Sequence, residues 1–133
     1  MRLATWLVLS VLVILLIGGN AAAAGRSDPV QAPALTVRIL EEYDPLLMWN
    51  QQAGVSRYYV WLYQDNPSYE TPLPFMLDAL PSTTTRYLWT GGLPIEGTFT
   101  FVVEARSGGT FVRSNTVTVH SDGSVSWHDQ LWR

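Results

Sequence analysis

Leu93-Pro94-Ile95-Glu96-Gly97-Thr98-Phe99-Thr100-Phe101-Val102-Val103-Glu104-Ala105 is the stretch that decides the fold. It opens as a turn, because Pro94 fixes φ and Gly97 is free to take a positive φ. It continues as a strand. Successive side chains alternate between faces, so Phe99, Phe101, Val103 and Ala105 share one side, and Thr98, Thr100, Val102 and Glu104 share the other. One side is wholly apolar and the other mostly polar, which predicts a half-buried strand with its second row facing water.

The flanking segments read as partners for this strand. Leu35-Thr36-Val37-Arg38-Ile39 alternates cleanly, and Leu46-Leu47-Met48-Trp49 places Leu47 and Trp49 on one face. Arg57 to Gln64 is a third strand. Phe75-Met76-Leu77 is a short edge strand, next to prolines that suit an edge. Thr84 to Thr90 is rich in β-branched and aromatic residues. Ser107-Gly108-Gly109 reads as a hairpin turn, and Thr110 to His120 closes the set with Val117 and Val119 alternating against Thr116, Thr118 and His120. No stretch of useful length has helical periodicity. Seven short strands with turn signals between them predict an all-β, immunoglobulin-like sandwich.

The 133 residues suit one domain, and the net charge of −3 gives no electrostatic pull toward nucleic acid. There is no Cys, so a disulfide framework, a thiolate nucleophile and a Cys-based zinc site are all excluded. Six Trp, six Tyr and four Phe supply apolar area for the core instead.

Residues 1–24 read as an export signal outside the fold. Arg2 precedes an apolar run from Leu3 to Ile17, and Gly18-Gly19-Asn20 breaks it. Ala22-Ala23-Ala24 then provides a small-residue cleavage pattern, with the cut expected after Ala24 and Ala22 or Ala23 as alternatives. The same uncharged stretch is long enough to span a bilayer as an uncleaved anchor helix. Both readings place the rest of the chain outside the cytoplasm: secreted, periplasmic or at the cell surface. Contact with membrane is expected only through residues 1–24, if they are retained. Residues 25–33 form a flexible leader, 34–120 the domain, and 121–133 a tail.

Several residues together resemble a fibronectin type III domain over about Ala34 to His120. Trp49 occupies the place of the family's core Trp. Tyr59, Trp61 and Tyr63 resemble the inward set of its third strand, ten residues on. Leu88 precedes a Leu-Pro turn, Leu93-Pro94. Phe99 to Ala105 resembles the Tyr-x-Phe-x-Val-x-Ala strand, and Ser114 with Val117-Thr118-Val119 resembles the last strand. The resemblance implies a seven-stranded sandwich and a non-catalytic interaction role. Phe99 stands where the family has its tyrosine-corner Tyr, so that hydroxyl bond is missing. The turn after Ala105 lacks the Arg-Gly-Asp triplet, and integrin binding is not implied.

No nucleophile–base arrangement stands out, and no enzyme or cofactor is predicted. His120, Asp122, His128 and Asp129 match no metal-ligand spacing, and Glu41, Glu42 and Asp44 read as a solvated turn. The third strand is apolar on both faces. With Tyr59, Trp61 and Tyr63 turned inward, Tyr58, Val60 and Leu62 face out beside Val102. That row is readable as a binding patch, as a surface covered by the tail, or as ordinary strand composition. The tail carries Trp127 and Trp132, which disordered tails usually lack, and both are candidates for docking on that row. The expected role is an extracytoplasmic binding module for a protein or polysaccharide at the cell envelope. The alternatives are a membrane-anchored structural protein and a carbohydrate-binding module.

Overall fold

The computed structural model describes residues 30–128. The expected signal helix and most of the leader, and the tail beyond His128 including Trp132, lie outside the described residues. Among the described residues every regular element is a strand: β1 Leu35–Ile39, β2 Pro45–Trp49, β3 Arg57–Asp65, β4 Leu73–Pro81, β5 Arg86–Leu88, β6 Thr98–Ser107, β7 Thr110–Arg113, β8 Thr116–His120 and β9 Val125–His128. They form two antiparallel sheets. The smaller has the order β1-β2-β5, and the larger has the order β4-β3-β6-β8-β9, with β7 also paired to β6.

The inner faces of the two sheets share one core. Leu35, Val37, Leu47 and Trp49 from the smaller sheet meet Tyr58, Val60, Leu62, Phe101, Val103, Ala105, Val117 and Val119 from the larger. Burying these rows is the main driving force available to a chain without disulfides. Trp49 and Tyr58 close one end, with ring centroids 5.6 Å apart, and the Tyr58 hydroxyl accepts from the Gln52 N–H at 2.7 Å. Trp89, Phe99 and Phe101 fill the other end with tilted and edge-on contacts. Asn115 ties the sheets together by accepting from the Leu35 N–H and donating to the Leu35 carbonyl, at 2.8 and 2.9 Å.

The structure departs from the seven expected strands in three places. The last strand is split into β7 and β8, because Ser114 takes over the ladder between them. Its hydroxyl accepts from the Val103 N–H at 2.9 Å, and its own N–H donates to the Val103 carbonyl at 2.8 Å. The short edge strand at Phe75 is nine residues long, and a register shift opposite Val60 and Trp61 lets it follow β3 past its prolines. The tail also contributes: β9 pairs with β8, setting Val125 opposite Val119 and Trp127 opposite Val117.

The Leu93–Gly97 turn lies close against the end of β3. Pro94 is buried. Gly97 has φ 72°, and a Cβ there would overlap the Asp65 carbonyl oxygen at the end of β3.

Candidate binding surface

The orientation of β3 decides which surface this protein presents, and the structure reverses the expected one. Tyr58, Val60 and Leu62 are buried in the core, at 0 to 2% exposure, and Tyr59, Trp61 and Tyr63 point outward. The cause is register. Residues directly opposite in an antiparallel pair share a face. The pairings Tyr58 with Ala105, Val60 with Val103 and Leu62 with Phe101 join them to the unambiguous inward row of β6.

The rest of the expected patch is also displaced. Val102 does lie on the outer side, but it is fully buried there, together with Thr100 and Glu104. It sits on a central strand opposite Trp61 and is not an exposed apolar residue. Trp127 is exposed, yet it belongs to β9 opposite the core residue Val117, with β6 and β8 lying between β9 and β3. It therefore does not rest on the Tyr58 row. Trp132 lies outside the described residues.

The outer face is built instead around Tyr59, Trp61 and Tyr63, which stand about 6.7 Å apart along β3. Met76 of β4 lies opposite Trp61 and is exposed. On the other side of β6, Phe111 lies opposite Arg106 and is exposed, and Arg113 lies opposite Glu104.

Glu104 organises the polar part of this face. Its side chain is only 2% exposed, and its two oxygens accept from Arg106 Nε at 2.6 Å and Arg113 Nε at 3.3 Å. A buried carboxylate is retained only when paired in this way. The pairing orients both arginines. The Arg106 guanidinium lies over the Tyr59 ring, 4.2 Å from its centroid, and Arg113 donates through Nη1 to the Tyr63 hydroxyl at 3.2 Å. Both sit 6.0 Å from the Phe111 ring. The bond to Glu104 raises the Arg106 pKa above its already high value, so the charge is permanent. Both arginine side chains are partly exposed, so the face carries cationic donors held in place by Glu104.

None of these outer residues was identified from sequence as a site. A usable signal was present: the outward row of β3 is all Tyr and Trp, whose polar tips suit a half-exposed position, whereas the inward row holds the aliphatic Val60 and Leu62. The Glu104–arginine pairing had no such signal, because it depends on the β6–β7 register. Among the described residues no group of three His, Asp or Glu is placed to hold a metal ion.

No family model matches the chain, and no curated protein matches it. Solved structures do. Pectate lyase PelI from Erwinia chrysanthemi in complex with tetragalacturonic acid aligns at TM-score 0.52 and 20% identity, over 66% of this chain and 28% of that one. A second PelI structure aligns at 0.53 and 20%, over 66% and 27%. Pectate lyase Pel3 from Pectobacterium carotovorum aligns at 0.53 and 19%, over 66% and 26%. The chain thus spans about a quarter of the length of these proteins, and what it shares with that part of them is the fold.

Proposed function

We propose that this protein is an exported, non-catalytic binding module of the fibronectin type III type, acting at the cell envelope through the outer face of its larger sheet. The observation that carries the reading is the face itself: an outward Tyr59-Trp61-Tyr63 row flanked by exposed Met76 and Phe111, with Arg106 and Arg113 set by Glu104. Tyr, Trp and Arg are the residues that dominate binding energy when covered. The family assignment draws support from the two-sheet architecture and from Trp49 in the core, while Tyr59, Trp61 and Tyr63, which resembled the family's inward set, face outward instead. Export draws support from the signal-like residues 1–24.

A second reading is carbohydrate binding. Outward aromatic rows stack on sugar rings, and paired arginines suit the carboxylates of acidic sugars. The pectate lyase PelI structure with tetragalacturonic acid concerns that enzyme, yet it makes oligogalacturonate a sensible first probe. Arg106 already covers one face of Tyr59, so stacking on this row centres on Trp61.

The test is to screen the purified chain against envelope polysaccharides, oligogalacturonate and purified envelope proteins, and then to repeat the positive case with Met76→Ser and Phe111→Ser. Both residues are exposed, so the fold should survive. Loss of binding with an unchanged melting curve supports the outer face. Undiminished binding by both variants overturns it.

A further inference from the structure

The two ends of the molecule carry opposite charge. The connections at one end hold Glu41, Glu42 and Asp44 between β1 and β2, Asp65 at the close of β3, Glu96 before β6 and Asp122 between β8 and β9. The other half holds Arg57, Arg86, Arg106 and Arg113, and of the arginines among the described residues Arg38 alone lies toward the acidic end. The pairings define these ends: Asp65 lies opposite Thr98 and Thr98 opposite His120, whereas Arg57 lies opposite Arg106. The chain enters β1 at Leu35 and leaves β9 at His128 at the arginine end, where Asn115 joins Leu35 to the start of β8.

The acidic end also exposes apolar side chains. Ile95 is 96% exposed, with exposed Tyr69 in the same cleft, and Tyr43 in the β1–β2 connection is 65% exposed. Two clefts open there. One, of about 250 Å³, is lined by Asp65, Tyr69, Ile95 and Glu96, and the other, of about 450 Å³, by Glu41, Glu42, Asp44, Leu88 and one cation, Arg38. Apolar groups within a mainly acidic rim are the composition of a contact surface. A field of one sign selects partners of the opposite sign and speeds their encounter.

We propose that this end is a second interaction surface, separate from the outer sheet face, for a basic polypeptide segment that presents Lys or Arg interleaved with apolar residues. The cations meet the carboxylates of the four connections, and an apolar side chain packs on Ile95 and Tyr69.

The test uses the full chain and a decapeptide of alternating Lys and Leu, with binding followed by calorimetry at low and physiological salt. The Asp65→Asn/Glu42→Gln/Glu96→Gln variant should weaken binding at least tenfold, and Ile95→Ser several-fold. Asp78→Asn, which removes a carboxylate from the middle of β4, should change it less than twofold, as should Phe111→Ser on the outer face. An equal loss with Asp78→Asn would reduce the effect to net charge and overturn the proposal. So would indifference to Ile95→Ser, or equal binding of a decapeptide of Lys alone. The outer-face reading stands or falls separately, on Met76→Ser and Phe111→Ser.

Discussion

Replacing Gly97 by Ala should be among the most damaging single-methyl additions in the described chain. Two costs add. The residue holds φ 72°, a left-handed conformation that costs a non-glycine residue roughly 1–2 kcal/mol. The new Cβ would also overlap the Asp65 carbonyl oxygen, and would lie 2.8 Å from its carbon and 2.9 Å from the Asn66 Cα. These are backbone atoms at the end of β3, so no side chain can swing aside, and the strain of such overpacking is about 1–3 kcal/mol. The total is about 2–5 kcal/mol. Gly92 is the internal control: its φ is 75°, but nothing lies within 4 Å of a Cβ there, so Gly92→Ala should show the conformational cost alone. Urea unfolding followed by tryptophan fluorescence would measure both. The expected result is that Gly97→Ala loses about 1–3 kcal/mol more than Gly92→Ala, with a correspondingly lower melting temperature. Equal losses would refute the claim that close contact between this turn and β3 matters. The contact bears on function as well, because the same junction seats Asp65 against Thr98 and so holds the β3–β6 register that turns Tyr59, Trp61 and Tyr63 outward.

Other consequences are open to measurement. Glu104→Gln should destabilise by about 1–3 kcal/mol by weakening both arginine bonds, at the low end because the arginines are partly exposed and can rehydrate; chemical denaturation measures it. Truncation before Asp122 removes β9 and the burial of Val125 against Val119, so a loss of roughly 2 kcal/mol and a clearly lower melting temperature are expected; an unchanged melt would show that β9 contributes nothing. The Asp122 carboxylate accepts from the Ser124 hydroxyl at 2.6 Å and the Ser124 N–H at 2.8 Å, which lowers its pKa. Its contribution is therefore present above the ordinary carboxylate pKa and fades as pH falls through the lowered value. Asp122→Asn should flatten the acid limb of a stability–pH profile below about pH 4, and an unaltered limb would contradict this role. Burial, with the Asp78 carboxylate second, raises the Tyr87 pKa. Stability from the neutral phenol is complete below its ordinary pKa and is lost as pH rises through the raised one, so Tyr87→Phe should resist alkaline unfolding better than the parent; equal alkaline midpoints would argue against it.

Much of the architecture is legible in the sequence. The inward row Phe99, Phe101, Val103 and Ala105 follows from period-two alternation alone, as does Val117 with Val119, because in both cases one row is apolar and the neighbouring row is more polar. Glycine and proline marked the turns at Gly97 and Gly108 through local backbone geometry. Where both rows of a strand are apolar, alternation carries no sign. For β3 the choice between Tyr58-Val60-Leu62 and Tyr59-Trp61-Tyr63 was made by long-range pairing with β6, more than thirty residues away. Pairing across strands likewise buried the outer residues Thr100, Val102 and Glu104, which a single-strand pattern assigns to water. The tail could not be recognised as β9, since four residues form a strand only against a β8 already in place. Local chemistry thus settled which segments are strands and where they turn. Which aromatic row meets solvent, how Glu104 gathers its arginines, and the gathering of carboxylates at one end depend on register and topology, and these exist only once distant strands have paired.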